Sequence, residues 1–276
     1  MPEKARRPLP LSVLRERYVV GSSPLPPGLL AALESDARAG AQALLSSLRA
    51  RASKNRAEGQ RLRNMLKFES ALYTEGYKQI AGVDEAGMAP LAGPVCAAAV
   101  ILPVGYKLRG LDDSKKIVDE ARREVLATAI KAQAVCWSVG WAEVHEIDTI
   151  NIYHAGLLAM RRAVEGLTCA PDYCLVDARR IPVISAPQRG IVHGDALSLS
   201  IAAASIIAKT TRDALMNEID QQHPGYGFAS HKGYPTPEHQ KALEKLGALP
   251  IHRRSFAPVR RALGLEVREE QLVKLR

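Results

Sequence analysis

The sequence is poor in aromatic residues and contains no long hydrophobic run. Phe, Trp and Tyr make up 5% of its 276 residues, which argues against a nucleic-acid surface built mainly on base stacking. No apolar run approaches the roughly 20 residues that a membrane-spanning helix needs. The first residues also lack the apolar segment of a secretory signal. We therefore expect a cytoplasmic protein that makes no contact with a membrane.

Cysteine is also scarce, and its spacing excludes two common uses. The four cysteines include no C-x-x-C pair, so the sequence predicts neither a zinc site nor a disulfide framework. Three of the four lie in apolar, strand-like segments, where a reduced and buried thiol is expected. The positions are Cys96, Cys136, Cys169 and Cys174.

Acidic residues are outnumbered by basic ones, and the formal net charge is +9. This excess favours a polyanionic partner such as nucleic acid. Part of it lies near the N-terminus, where residues 28–73 have a helical pattern, as one long or two abutting helices, with a dense basic face. That face is either a solvated helix surface or an arm that contacts phosphates.

From residue 80 onward, predicted strands and helices alternate, which indicates an α/β domain. The predicted strands are residues 80–84, 95–102, 134–141, 173–177 and 191–193. The predicted helices are residues 119–133, 149–166, 195–222 and 237–246. No internal repeat interrupts this alternation.

Two adjacent carboxylates, Asp84 and Glu85, follow the first apolar strand of this domain. Neighbouring residues on a strand face opposite ways, so both acids share a site only if the strand ends between them. Buried carboxylates are costly unless a cation neutralises them, and their hard oxygen atoms suit Mg²⁺ or Mn²⁺. The alternative is a strand end that carries two solvated acids.

Two further acids are candidates for the same edge of the sheet. Asp177 ends another apolar strand, and strand ends line the functional edge of an α/β sheet. Asp195 opens a helix, where it is either an N-cap or a neighbour of the strand ends. The small-residue run 202–205 would let that helix pack close to the sheet. Four acids that converge within a basic surround would suit two-metal hydrolysis of a phosphodiester.

Seven segments, in order along the chain, resemble the bacterial ribonuclease HII family (type 2 ribonucleases H). They are residues 80–102, 111–116, 146–152, 175–177, 194–213, 226–234 and 251–259. The resemblance implies a ribonuclease-H-like fold, a mixed sheet flanked by helices, with a helical N-terminal extension at 1–78. The catalytic domain would span residues 79–262, and a basic polar tail would span 263–276.

The family resemblance also implies an activity. The four acids Asp84, Glu85, Asp177 and Asp195 would be catalytic and would bind two Mg²⁺ or Mn²⁺ ions. The substrate would be RNA in an RNA/DNA hybrid, or one ribonucleotide within duplex DNA. The cut would fall 5′ of the ribonucleotide and leave a 3′-hydroxyl and a 5′-phosphate. We expect the protein to act as a monomer.

The same resemblance suggests substrate contacts, each of which has a structural alternative. Tyr234 would pack at the ribose, or it is an ordinary turn residue. Ser114 and Lys115 would contact phosphate, or they precede a helix as solvated residues. Lys209 and Arg212 are further phosphate candidates, or they lie on the exposed face of a helix.

One loop departs from the family pattern. Gly87, Met88 and Ala89 stand where the family has Gly-Arg-Gly, a loop that contacts the ribonucleotide through its backbone. Met88 supplies no charge, and Ala89 adds a Cβ where glycine permits positive φ. The alternative function is therefore a nucleic-acid-binding member of the family with weakened or altered catalysis. Arg179 and Arg180, close after Asp177, would return some positive charge to the cleft.

Overall fold

The structure is a computed structural model that describes residues 9–21 and 23–265. The chain divides into two compact units, residues 1–63 and 64–276. Most of the predicted C-terminal tail, 263–276, lies outside the described residues. None of the described helices is both long enough and apolar enough to cross a membrane.

The smaller unit is helical. Helix α1 (Leu11–Arg15) continues into a π-helical turn (Glu16–Val20), and α2 (Leu29–Glu34) and α3 (Ala41–Met65) follow. Leucines from all three helices form its buried core. With α4 (Lys67–Thr74), the predicted helical segment 28–73 contains three helices, because the chain turns at Gly40, whose φ is +85°.

Two arginines of α3 already have partners within the smaller unit. Arg51 donates hydrogen bonds to the carbonyl oxygens of Tyr18 and Ser23. Arg61 pairs with Glu58, with 2.8 Å between Nε and Oε2. These contacts stabilise the unit and reduce the charge that α3 can offer to a ligand.

The larger unit is built on a five-stranded mixed sheet of order β3-β2-β1-β4-β5. The strands are β1 (Ile80–Ala86), β2 (Val95–Ile101), β3 (Cys136–Ala142), β4 (Tyr173–Asp177) and β5 (Gln188–Ile191). The pairs β1–β2 and β2–β3 are antiparallel, whereas β1–β4 and β4–β5 are parallel. The α/β class and the mixed sheet predicted from the sequence are confirmed.

Seven helices follow β2 in the described part of the chain. They are α5 (Glu120–Gln133), α6 (Val144–Glu165), α7 (Gly194–Leu197), α8 (Leu199–Gln222), α9 (Phe228–His231), α10 (Pro237–Leu246) and α11 (Ala257–Ala262). Helix α8 packs closely on β1, as the small-residue run 202–205 predicts. A Cβ at Gly82 would lie 2.0 Å from the carbonyl carbon of Ser200, so only glycine fits there.

Two predicted helices differ from the structure. Helix α6 starts at Val144 and is broken at Asn151, whose φ is +66°. The Asn151 Oδ1 atom accepts hydrogen bonds from the backbone N–H groups of Tyr153 and His154 and so caps the second half of α6. The predicted helix 195–222 is two helices, because the extended backbone of Ser198 separates α7 from α8.

The prediction that no cysteine is paired is wrong. Cys136, at the start of β3, forms a disulfide with Cys169, in the connection from α6 to β4. Cys96 and Cys174 are free and buried. The pairing was invisible in the sequence because 33 residues separate the two partners, and only the packing of α6 on the sheet brings them together.

Candidate active site

Asp84 and Glu85 both lie within β1, and the strand does not end between them as predicted. What ends there is the pairing with β4: the last parallel pair is Val83 with Val176, while pairing with β2 continues. Asp84 is buried, and its Oδ1 accepts a hydrogen bond from the Glu85 backbone N–H at 2.7 Å. The sheet thus opens at the two acids.

Asp177 and Asp195 are joined through the first residue of α7. Asp177 ends β4, and its Oδ1 accepts a hydrogen bond from the Gly194 backbone N–H at 2.7 Å. The N-cap of α7 is His193, with φ +57°, so Asp195 is not the N-cap. Asp195 lies in the first turn, is buried, and faces the end of β4.

The carboxylates affect one another's protonation. Burial raises the pKa of Asp84 well above its usual range, and the negative charges of Glu85 and Asp177 raise it further. A hydrogen bond from the Ser205 hydroxyl opposes this rise. Burial also raises the pKa of Asp177, with a contribution from the charge of Asp195. The structure therefore places Asp84, Glu85, Asp177 and Asp195 at one anionic edge of the sheet.

Two cations pair with acids of this edge. Lys115 Nζ is 3.1 Å from Asp195 Oδ2, and Arg179 Nη2 is 3.2 Å from Glu85 Oε1. Burial raises the pKa of Glu85, and the charge of Arg179 counteracts that increase. Burial alone would lower the pKa of Lys115, but its hydrogen bond to Asp195 and the negative charges of Asp195, Asp84 and Asp113 together raise it.

Sequence reasoning missed a fifth acid, Asp113. Its side chain is within hydrogen-bonding reach of Asp195, and burial is the main cause of its raised pKa. Its Oδ1 also accepts a hydrogen bond from the Lys115 backbone N–H at 2.8 Å. The two consecutive aspartates at 112 and 113 were the available signal, but nothing in their spacing connects them to Asp195.

The donor set suits a hard divalent cation in its chemistry. Glu85 Oε2 is buried and has no hydrogen-bond partner among the described residues, and the neighbouring groups are carboxylate oxygens, which Mg²⁺ and Mn²⁺ prefer. No three His, Cys, Asp or Glu side chains in residues 9–21 and 23–265 converge in the geometry of a metal cage. Mutual repulsion between buried carboxylates favours such an open arrangement.

The substrate-contact candidates are placed differently from one another. Tyr234 is 38% exposed, and Lys209 Nζ lies 5.9 Å from the centre of its ring. Lys209 also donates a hydrogen bond to Asp213 at 2.7 Å. Ser114 is buried, and its Oγ is 2.8 Å from Ser205 Oγ, in contact with the residue that donates to Asp84. Ser114 thus faces the acids rather than solvent.

The prediction for Arg212 is wrong. The sequence predicts a phosphate contact or an exposed position, but its side chain is 1% exposed. Its guanidinium donates to three backbone carbonyl oxygens, those of Ala92, Pro94 and Lys232, each at 3.0 Å. These bonds orient Arg212 away from any phosphate and make it a support for the loop after β1.

A second buried arginine, Arg253, supports the same loop. Its guanidinium donates to the carbonyl oxygens of Gly87 at 2.6 Å and Met88 at 3.1 Å. Burial lowers its pKa to about 9, so it remains charged at neutral pH. The sequence signalled neither role, because buried and solvated arginines are indistinguishable in a pattern.

Positive φ in the departing loop falls on Gly87 and not on Ala89. Gly87 has φ +93°, and a Cβ there would lie 2.1 Å from Arg212 Nε. Ala89 is exposed and is not among the described residues with positive φ. Alanine therefore fits at this position without backbone strain.

Comparison with known proteins identifies the family. The family model for Ribonuclease HII matches residues 81–259, and that for the Ribonuclease HII N-terminal domain matches residues 21–73. Ribonuclease HII of Myxococcus xanthus is 67% identical over 255 residues, which cover 92% of this chain and 87% of that protein. The chain belongs to the ribonuclease HII family. It is a ribonuclease H, as the sequence predicts.

Solved structures share the fold. Ribonuclease H2 from Pyrococcus horikoshii has a TM-score of 0.58 and 25% identity, covering 71% of this chain and 99% of that chain. Bst-RNase HIII in complex with Mn²⁺ has a TM-score of 0.50 and 20% identity, covering 68% of this chain and 70% of that chain. The likeness to the second shows the fold alone.

Proposed function

We propose that this ribonuclease H is a metal-dependent endonuclease that cuts the RNA strand of RNA/DNA hybrids. It also cuts on the 5′ side of a single ribonucleotide in duplex DNA and leaves a 3′-hydroxyl and a 5′-phosphate. The observation that carries the proposal is the edge of the sheet at which Asp84, Glu85, Asp177 and Asp195 lie together. Burial and the charges of neighbouring acids raise the pKa of Asp84, Glu85 and Asp177 there. Carboxylates held this way favour a bound cation.

The four acids would hold Mg²⁺ or Mn²⁺, and a solved protein of this fold was crystallised with Mn²⁺. When bound, two such ions supply an activated water and stabilise the leaving 3′ oxygen. The chain itself orients the acids: the Glu85 backbone N–H holds Asp84, and the Gly194 backbone N–H holds Asp177. Lys115 holds Asp195 and offsets its charge.

Substrate recognition would use the loop of Gly87, Met88 and Ala89 together with Tyr234. Arg253 engages the carbonyl oxygens of Gly87 and Met88, and Arg212 engages those of Ala92 and Pro94 just after this loop. The backbone N–H groups of the loop would then be the donors for a 2′-hydroxyl, the group that distinguishes RNA from DNA. Tyr234 is exposed enough to pack against a ribose. Lys115 and Lys209 remain proposed phosphate contacts.

We propose that the N-terminal extension spans residues 1–78 in the sequence and that the catalytic domain spans 79–262. Helix α4, at the end of this extension, packs within the compact unit of residues 64–276. All four acids come from a single chain, which supports an enzyme that acts as a monomer. The binding-only alternative rests on two changes in the loop, the charge missing at Met88 and the Cβ added at Ala89. The ordinary backbone at Ala89 removes the second of these supports.

The decisive experiment is incubation with a labelled duplex that carries one ribonucleotide, in Mg²⁺, in Mn²⁺ and in EDTA. A plain DNA duplex of the same sequence is the control. We expect a single cut 5′ of the ribonucleotide in either metal and none in EDTA. Absence of cutting in both metals, with binding retained, would establish the binding-only alternative.

A further inference from the structure

The guanidinium of Arg179 has donors that the protein does not use. Nη2 pairs with Glu85 Oε1 at 3.2 Å, while Nη1 is buried without a hydrogen-bond partner among the described residues. The carbon at the centre of the guanidinium lies 5.2 Å from the centre of the Tyr153 ring, which is 52% exposed. A buried donor without a partner is costly, and such groups in native proteins usually meet a ligand or an ordered water.

Arg179 and Met88 lie against the same point on α6. A Cβ at Gly156 would be 2.7 Å from Arg179 Nη1 and 2.9 Å from Met88 Sδ. The unpartnered end of the guanidinium is therefore beside the methionine that leaves the loop without a charge. Met88 is a flexible, unbranched thioether, so it can shift to admit a ligand.

The backbone fixes the position of Arg179. Ala178 has φ +49°, and its N–H donates to the Ile191 carbonyl oxygen at 2.9 Å. A Cβ at Gly190 would lie 2.6 Å from the Arg179 carbonyl oxygen, so β5 passes very close to this residue. The side chain is therefore held beside Glu85 by the turn that follows Asp177.

From these contacts we infer that Arg179 is a substrate-positioning residue, which holds Glu85 through Nη2 and binds a phosphate oxygen of the duplex through its remaining donors. It would supply, from the end of β4, the charge that Met88 does not supply from the loop after β1. A guanidinium has five N–H donors in a planar fork, enough to serve a carboxylate and a phosphate together. This inference rests on the proposed function.

The first test is kinetic. We expect Arg179→Ala to raise KM about tenfold, because the loss of one charge-assisted hydrogen bond weakens binding by about this factor. The change in kcat should be much smaller, because phosphate contacts position the duplex. Arg179→Lys keeps the charge and should have a smaller effect. Lys241→Ala, which removes an exposed positive charge on α10, is the matched control and should leave KM unchanged.

The second test needs no cutting. Binding of a plain DNA duplex is measured in Mg²⁺ over a range of salt concentrations. Loss of one phosphate contact should reduce the slope of log K against log salt by about 0.9. Arg179→Ala should show this reduction and Lys241→Ala should not. A purely structural role for Arg179 would lower stability without flattening the slope.

The third test is a double-mutant cycle with Met88→Arg. In the Arg179→Ala background, Met88→Arg should restore both KM and the salt slope to near the wild-type values. In the wild-type background the new guanidinium would lie beside Arg179, so the gain should be several-fold smaller. Neighbouring residues that share one role are non-additive in this way.

The outcomes separate the inference from the proposed function. The inference would be overturned if Arg179→Ala and Lys241→Ala had equal KM and equal salt slope. It would also be overturned if Met88→Arg had equal effects in both backgrounds. Cutting by the wild-type protein would stand in either case. Wild-type protein that cuts in neither metal would overturn the proposed function, while a flattened salt slope for Arg179→Ala would still support the phosphate contact. If Arg179→Ala fails to fold, Arg179→Gln removes the charge with a smaller loss of volume and provides the same comparisons.

Discussion

Glu69 Oε1 accepts a hydrogen bond from the Ser198 hydroxyl at 2.7 Å and another from the Ser200 backbone N–H at 3.0 Å. Glu69 lies in α4 and is fully buried, and Ser198 caps α8 just after the helix that carries Asp195. The start of α8 therefore depends on a residue that precedes the sheet in the chain. Helix α4 is thus part of the unit that contains the acids.

This contact predicts where the chain tolerates truncation. Deletion of residues 1–63 should leave a cooperatively folded protein, since α4 remains. Deletion of residues 1–76 removes Glu69 and Leu72 from buried positions and should lower the thermal midpoint by several degrees or more. Thermal unfolding of both truncations checks this, and equal midpoints would contradict it.

The shorter deletion also tests the basic face of α3. If that face contacts phosphates, removal of residues 1–63 should weaken duplex binding and flatten its salt dependence. A salt slope equal to that of the full chain would assign these residues to a solvated surface.

Asp84→Asn should abolish cutting and leave duplex binding intact or slightly tighter. The substitution removes a proposed cation ligand, and it also removes a negative charge near the phosphates. Single-turnover cutting and equilibrium binding measure the two effects separately. Near wild-type cutting by the variant would exclude Asp84 as a ligand.

Ser205→Ala should reduce kcat roughly tenfold with little change in KM. Its hydroxyl contacts both Asp84 and Ser114. Its loss removes a side-chain donor from Asp84, which keeps the Glu85 backbone N–H and is held less firmly. Thr210→Val is a control on the same helix, since the Thr210 hydroxyl donates to the Ile206 carbonyl oxygen away from the acids. An equal loss of kcat in both variants would point to a general disturbance of α8.

The buried histidines predict a loss of stability in acid. Burial, with a contribution from neighbouring His239, lowers the pKa of His252 to about 4 from an ordinary value of 6.5. A lowered histidine pKa means that the unfolded chain binds the proton first, so this stabilisation is complete above pH 6.5 and is lost as the pH falls toward 4. The loss should be on the order of 2–3 kcal/mol by pH 4.

NMR titration of the imidazole signals checks this assignment. His252 should stay neutral from pH 7 to pH 5, whereas an unperturbed histidine charges over the same range. A midpoint near 6.5 for His252 would show that the ring cluster is more open to solvent than its contacts with His239 and Leu249 indicate.

The Cys136–Cys169 disulfide predicts the thiol count. Protein unfolded without reductant should show two reactive thiols, those of Cys96 and Cys174, and four after reduction. By the loop-entropy relation, closure of a loop of this length stabilises the fold by about 3–4 kcal/mol. Cys136→Ser should therefore lower the thermal midpoint under oxidising conditions only. Four thiols before reduction would exclude the bond.

The strands and the acids near their ends were predictable because the local order of apolar and charged residues determines them. Apolar runs that reach Asp84 and Asp177 indicate a strand with a carboxylate near its end, and the segment order then identifies the family. The exact end of β1, two residues beyond Asp84, was not predictable in this way. The small residues of 202–205 likewise predicted the close packing of α8 on the sheet, because only small side chains allow such packing.

Long-range contacts decided the rest. In the sequence, Arg212 is indistinguishable from an exposed arginine that contacts phosphate. In the structure its side chain is buried and donates to carbonyl oxygens of segments that are distant in the chain. Cys136 and Cys169, Glu69 and Ser198, and Arg179 and Met88 are likewise paired by the packing of elements far apart in the chain. Local pattern records which residues are apolar, charged or small, whereas the partner of each polar group depends on how those elements pack.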